Sequence, residues 1–206
     1  MTQFALPQID SGISALNVQE VYIQRGLPVV ITQLASQWPI TAACSLEKLR
    51  YTHGGVEVHV TGPNSSTWSK MGLKEYIDGF EEYKKLDSKP YLRTWNFLDD
   101  IPELKEMYHS PRHFQDRFQQ LPENQRPPFT WLFVGPCGVQ TPLHVDIWHT
   151  DAWLAQLEGR KRFRLFHPSR RAELVAKGLL ADAAEMSSTS PAAGLIRWRL
   201  LMMEFH

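Results

Sequence analysis

The sequence predicts an α+β domain, mainly strands with flanking helices, in which an amino-terminal region of helix and strand leads into a β-barrel. Three observations carry that reading. Residues 141–149 (Thr-Pro-Leu-His-Val-Asp-Ile-Trp-His) and 159–166 (Gly-Arg-Lys-Arg-Phe-Arg-Leu-Phe) read as strands, with neighbouring side chains on opposite faces. Upstream, Pro28-Val-Val-Ile-Thr and Glu57-Val-His-Val have the β-branched, bounded character of short strands. Leu73, Tyr76, Ile77 and Phe80 recur at helical spacing, the stripe of a helix with one packing face.

In chain order, residues 17–26 read as a helix with Asn17 as N-cap and Gly26 as its stop. Residues 28–32 follow as a short buried strand. Residues 45–53 are a helix capped by Ser45 and ended by Gly54-Gly55. Glu57-Val-His-Val alternates as a strand, which gives His59 a structural role rather than a ligand's. Residues 73–83 are the striped helix, and Pro90-Tyr-Leu-Arg-Thr-Trp resumes a strand. Short helices at 102–108 and 112–119 precede a proline-rich loop at 122–128. Thr130-Trp-Leu-Phe-Val then enters the barrel, and Gly135-Pro-Cys-Gly turns toward the strand at 141. Residues 169–178 form a helix between Ser169 as cap and Gly178 as stop. Residues 179–193 are alanine- and serine-rich without a strand pattern. No repeat or linker divides the chain, so residues 1–206 are expected to be one domain.

Composition narrows the function classes. With 206 residues the chain can bury a sizeable core, and its 43% hydrophobic and 21% charged content is ordinary for a soluble globular protein. Lysine plus arginine equals aspartate plus glutamate, 22 each, so no global basic field attracts nucleic acid. Cys44 and Cys137 give neither a disulfide framework nor zinc-ligand spacing and suit a reducing compartment. The first residues lack a signal-peptide pattern, and no apolar run approaches the ~20 residues that span a bilayer. The expectation is a cytoplasmic or nuclear protein with neither a nucleic-acid nor a membrane partner.

The chemistry-bearing residues lie on the two barrel strands. Alternation points His144 and Asp146 the same way. An imidazole and a carboxylate on one face are two corners of the two-His-one-carboxylate triad that holds non-haem Fe(II) with open positions. Lys161 shares a face with Phe163 and Leu165, while Arg160, Arg162 and Arg164 take the other. A lysine among inward apolar residues is costly unless it meets an anion. The residues needed for a metal and an acidic co-substrate are therefore present together.

Three words extend this pattern: Thr-Pro-Leu-His-x-Asp at 141–146, Trp153-Leu-Ala-Gln-Leu-Glu-Gly-Arg-Lys-Arg-Phe, and Leu165-Phe-His-Pro. Together they resemble the Jumonji-C (JmjC, cupin-like) family, over about residues 27–178, leaving 179–206 as a divergent tail. Pro28-Val-Val-Ile-Thr, Trp38-Pro and Pro90-Tyr-Leu-Arg-Thr-Trp look like the elements that precede the barrel in JmjC hydroxylases. The gap from His144 to Lys161 is similar to the branch that includes lysyl-hydroxylase-type members. The resemblance implies a double-stranded β-helix (jelly-roll) and an Fe(II)- and 2-oxoglutarate-dependent dioxygenase that hydroxylates a protein or peptide side chain. It gives His144 and Asp146 to the metal and Lys161 to the distal carboxylate of 2-oxoglutarate. Thr141 and Tyr91 match residues that help with that carboxylate in some members, although regular alternation would set Thr141 opposite His144 unless the strand is irregular at Pro142. No catalytic residue is implied beyond these ligands. The asparagine that some members carry after the tryptophan is replaced here by Leu154.

The departure lies at the carboxyl end. The family's third ligand is a histidine in a motif of the form Gly-Asp-x-x-x-x-Pro-x-x-Trp-x-His, and nothing after Lys161 matches it. His206 lacks the tryptophan context and arrives too early for that role. The barrel is therefore expected to be incomplete, as in a truncated product, and the iron site to bind weakly. Two other classes stand beside the oxygenase: a catalytically silent cupin-like binding fragment, and a small-molecule-binding cupin with another metal and no keto-acid dependence. A demethylase is less expected, because no reader module, zinc cluster or basic tail accompanies the barrel.

Overall fold

A computed structural model describes residues 6–62, 68–114, 116–146, 150–180 and 200–205. Near the amino terminus, β1 (Gln8–Asp10) pairs in parallel with β2 (Val30–Thr32). Helix α1 (Ala15–Val18) lies between them and continues as a wider turn through Gln19–Ile23. Its cap is Ser14 rather than Asn17: the Ser14 hydroxyl accepts the Asn17 N–H at 3.1 Å, satisfying a first-turn donor three residues earlier than the sequence suggested. The stop at Gly26 stands, with φ of 68°. Strand β2 is not buried as expected, since Val30 is 38% exposed.

Helices α2 (Pro39–Ala43), α3 (Leu46–Thr52), α4 (Leu73–Asp78) and α5 (Phe80–Tyr83) build the next layer. Ser45 caps α3 as its position predicts, accepting from the Lys48 N–H at 3.3 Å. The expected single helix over 73–83 is two, broken at Gly79. The Tyr83 ring closes over that glycine, and a Cβ there would stand 2.5 Å from it. The stripe nevertheless packs as one face, with Leu73, Tyr76, Ile77 and Phe80 all buried.

Four strands lie against these helices: β3 (Glu57–Thr61), β4 (Trp68–Gly72), β5 (Leu92–Trp95) and β6 (Leu132–Val134). β3–β4 and β5–β6 are antiparallel pairs. Reciprocal backbone bonds between Thr61 and Tyr91, at 2.9 and 3.1 Å, join the pairs into one surface in the order β4-β3-β5-β6. One face carries Val58, Val60, Leu92 and Val134 into the main core with Leu49, Leu73, Tyr76 and Phe80. The Tyr76 hydroxyl ties the layers together. It lies 3.0 Å from the carbonyls of Pro90 and Val134 and accepts the Leu92 N–H at 3.1 Å. The short helix α6 (Phe97–Asp100) and a 3₁₀ helix over Pro102–Met107 follow β5. The expected helix at 112–119 reduces to a 3₁₀ turn over Arg117–Gln120, capped by Asp116.

The second sheet holds β7 (Gln140–Val145), β8 (Lys161–Phe166) and β9 (Leu200–Phe205) in the order β7-β9-β8, with both pairings antiparallel. Helix α7 (Arg171–Ala176) backs it, with Leu174 packed against Leu143, Val145 and Phe166. Ser169 does not cap α7. It sits inside a 3₁₀ turn opened by His167, whose ring accepts the Ser169 N–H. Residues 200–205, near the carboxyl end, supply the central strand of this sheet. Helices and small sheets are mixed rather than mainly β, and the described strands close no barrel. No helix among the described residues is long and apolar enough to cross a membrane.

Replacing Tyr76 by Phe keeps the ring and leaves the Leu92 N–H buried without its acceptor. The variant should lose about 1–3 kcal/mol of stability, with an unchanged denaturant slope in chemical unfolding. A loss below ~0.5 kcal/mol would show that this hydroxyl does not tie the layers.

Candidate metal and co-substrate site

The site lies between the two sheets. The face of β4-β3-β5-β6 turned away from the main core bears Tyr91 and Phe133. The three-stranded sheet presents His144, Phe163 and Lys161, while its other face (Leu143, Val145, Phe166) packs on α7. The two faces meet directly: Lys161 Nζ lies 5.3 Å from the ring centroids of both Phe133 and Phe163, and Phe133 lies 6.2 Å from Tyr91.

His144 and Asp146 come together as alternation requires, with Nε2 and Oδ1 3.3 Å apart. His144 Nδ1 lies 2.8 Å from the Pro142 carbonyl, so it donates there and turns Nε2 toward Asp146. Asp146 holds the imidazole above its usual pKa, against the opposing effect of burial. Two donors bound to one divalent cation at ~2.1 Å stand roughly 3 Å apart at a right angle, so this nitrogen–oxygen pair fits a metal.

Lys161 is half-buried and its Nζ is shut away from solvent. Burial pulls its pKa down to about 8, while the negative charge of Asp146 works the other way. The aromatic faces offset part of the desolvation through cation–π contact. An ammonium enclosed in this way fits an anionic ligand.

Thr141 joins the site through an irregularity in β7. Thr141 is the register partner of Met203 and His144 of Leu201, so three residues on β7 span two on β9. One extra residue is absorbed at Pro142 and Leu143, which brings Thr141 round to the face of His144. Its hydroxyl is enclosed beside the phenol of Tyr91. Tyr91 is 4% exposed, and burial keeps its hydroxyl protonated by raising its pKa far above the usual value. Gly135 permits this position, since a Cβ there would stand 2.9 Å from the Tyr91 ring.

Among the described residues no third histidine, cysteine or carboxylate completes a metal group. Strand β9 contains no histidine, and Leu201 is the residue in register with His144. Trp148, His149 and His206 lie outside the described residues. Trp153 is a packing residue, stacked on Phe114 at 6.2 Å and edge-on to Trp38 at 6.1 Å. Sequence reading overlooked Phe133. Phe133 was legible only as one of several aromatics on an entering strand.

Residues 15–194 match the family described as the cupin-like domain, and the chain belongs to that family, in its JmjC type. It is 30% identical over 174 residues to the lysine-specific demethylase JMJ21 of Arabidopsis thaliana, covering 84% of this chain and 18% of that protein. It is 29% identical over 152 residues to the bifunctional arginine demethylase and lysyl-hydroxylase psr-1 of Caenorhabditis elegans, covering 72% and 38%. The 2-oxoglutarate and iron-dependent oxygenase JMJD4 of Homo sapiens is 27% identical over 143 residues, covering 62% and 33%. The chain thus spans less than half the length of these relatives.

The burial of Lys161 has a measurable consequence. Its folded pKa of about 8 lies below the ordinary lysine value. Between the two, the unfolded chain holds a proton that the folded chain has lost, so this group's contribution to stability rises with pH through that window. Below it the buried charge costs its full amount. Without co-substrate, Lys161→Met should therefore stabilise the fold at pH 7 by about 1–3 kcal/mol. The advantage should shrink as the pH approaches 10. A Lys161→Met variant that is less stable at pH 7 would show that the ammonium is not a stored cost.

Proposed function

We propose that this chain carries the metal- and co-substrate-binding part of a JmjC-type Fe(II)- and 2-oxoglutarate-dependent oxygenase, built on a jelly-roll and hydroxylating a protein side chain. The observation that carries this reading is the enclosure of the Lys161 ammonium in the same inter-sheet space as the His144–Asp146 pair. His144 Nε2 and Asp146 would hold the iron, and the Pro142 carbonyl would keep the imidazole in the tautomer that leaves Nε2 free to ligate. Lys161 would bind the distal carboxylate of 2-oxoglutarate, with the Thr141 and Tyr91 hydroxyls as supporting donors. Phe133 and Phe163 would keep water from that ion pair. Bound there, iron and the keto acid supply O₂ activation for C–H hydroxylation. The relatives' names support a protein substrate, since they describe a lysyl-hydroxylase and demethylases.

A second reading, a binding module without turnover, is favoured by one observation: the described residues offer the metal two ligands, and Leu201 rather than a donor is in register with His144. Two ligands can hold a divalent ion, but with lower affinity and looser geometry.

Titrating Mn(II) and then 2-oxoglutarate, by electron paramagnetic resonance and calorimetry, tests the first reading. His144→Ala should abolish Mn(II) binding, and Lys161→Ala should weaken 2-oxoglutarate by about 2–5 kcal/mol, the scale for removing one partner of a buried charge pair. Equal 2-oxoglutarate affinity in wild type and Lys161→Ala would refute the assignment. Keto-acid decarboxylation by this chain should stay near background, and robust turnover would eliminate the binding-module reading.

A further inference from the structure

A groove of about 560 Å³ opens where β3, β4 and β5 meet the start of α6, lined by Glu57, His59, Trp68, Arg93, Asn96 and Asp100 among others. It adjoins the site already described, since the charge of Arg93 is felt by both His144 and Tyr91. Its acidic groups are already engaged. Glu57 takes the Lys70 ammonium at 2.8 Å, and Asp100 takes the Trp95 indole N–H at 2.7 Å. Arg93 is half-buried, and no carboxylate among the described residues pairs with it. Asn96 Oδ1 is enclosed and has no hydrogen-bond partner among them.

The backbone beneath these two residues is unusual. The β5–β6 register slips between Leu92 and Trp95, and Thr94 sits at φ 54°, a left-handed conformation that is strained for a non-glycine residue. Bulges of this kind re-aim side chains next to functional sites. Here the bulge carries a guanidinium into the groove, and Trp68, 52% exposed, forms an aromatic lip.

We infer that this groove is a recognition subsite for an acidic peptide segment, with Arg93 receiving an Asp or Glu carboxylate. The inference rests on the proposed function only in supposing that a protein substrate approaches the site from this side. The free polar groups of the groove otherwise decide it. A guanidinium forks onto a carboxylate through two parallel N–H donors. A cationic segment would meet Arg93 as a like charge.

The test is a titration of the full chain, without metal, with short capped peptides of one Gly/Ser/Ala background carrying a central Glu, Gln or Lys. Nitrogen-15 NMR reads the Arg93 Nε–H and the Trp68 and Trp95 indole signals. The Glu peptide should shift these signals and bind about tenfold more tightly than the Gln peptide, the scale of one charge-assisted hydrogen bond. Arg93→Gln should remove that preference, while Arg93→Lys, which keeps the charge, should retain part of it. Equal or tighter binding of the Lys peptide, or a preference that survives Arg93→Gln, would overturn the subsite. A loss of 2-oxoglutarate affinity in Arg93→Gln as deep as that of Lys161→Ala would also overturn it, by giving Arg93 to the co-substrate. If the proposed oxygenase reading fails instead, the failure appears in the Mn(II) and 2-oxoglutarate titrations and leaves these peptide shifts in place.

Discussion

The cost of enclosing one ammonium organises the space between the two sheets. Lys161 enters from β8 and is met by Phe133 from β6 and Phe163 from its own strand. Those rings dry the space, which pulls the lysine's pKa down to about 8, and they return only part of the lost hydration as cation–π attraction. What remains is a demand for negative charge, partly met by the field of Asp146. A fold seeking stability alone would place an apolar side chain there, as buried charges are commonly replaced at no loss. The lysine is therefore accounted for by the proposed anionic ligand better than by the core.

The two cores divide the labour. The larger cluster, around Leu49, Leu73, Tyr76 and Leu92, lies on the helix side of the four-strand surface; it includes the Tyr76 hydroxyl, whose bonds are structural, and the Cys44 thiol, whose pKa burial pushes up to about 11. The smaller cluster of Leu143, Leu174 and Leu180 only backs the second sheet. The functional side chains are thus projected from rigid strands whose far faces are packed, the arrangement that fixes donor geometry best. The irregularities lie on the inner side: the bulge in β7 that rotates Thr141 toward Tyr91, and the strained turn at Thr94 that presents Arg93.

Alternation made the relation of His144 to Asp146, and of Lys161 to Phe163, legible in the sequence, because both pairs lie two residues apart on one strand. The same rule misplaced Thr141, since a one-residue bulge inverts the facing of everything before it and leaves no clear mark beyond a proline. Strand β9 was overlooked for a different reason. Leu-Leu-Met-Met is a continuous apolar run without a period of two, and such a run does not distinguish a central strand from a helix. The split of α4 from α5 was hidden because the buried stripe continues across Gly79 unchanged. Arg93 could not be found from its neighbours, as its importance comes from partners that other groove residues have already taken.

The position of β9 bears on both the chemistry and the limits of the site. With strands spaced by about 4.8 Å, an inserted strand sets β7 and β8 roughly 10 Å apart. Asp146 and Lys161 are therefore not cross-strand neighbours, and opposite charges share one space without being directly paired by the sheet register. The insertion that creates this separation also fixes which residue meets His144 across the ladder, and in this sequence that residue is Leu201. In the proposed site the anion-binding half and the metal-binding half are thus unequally provided. The first has a buried cation and two hydroxyls, while the second has two donors among the described residues. Affinity for the acidic co-substrate should accordingly depend less on the metal than in a site where three protein ligands fix the ion first.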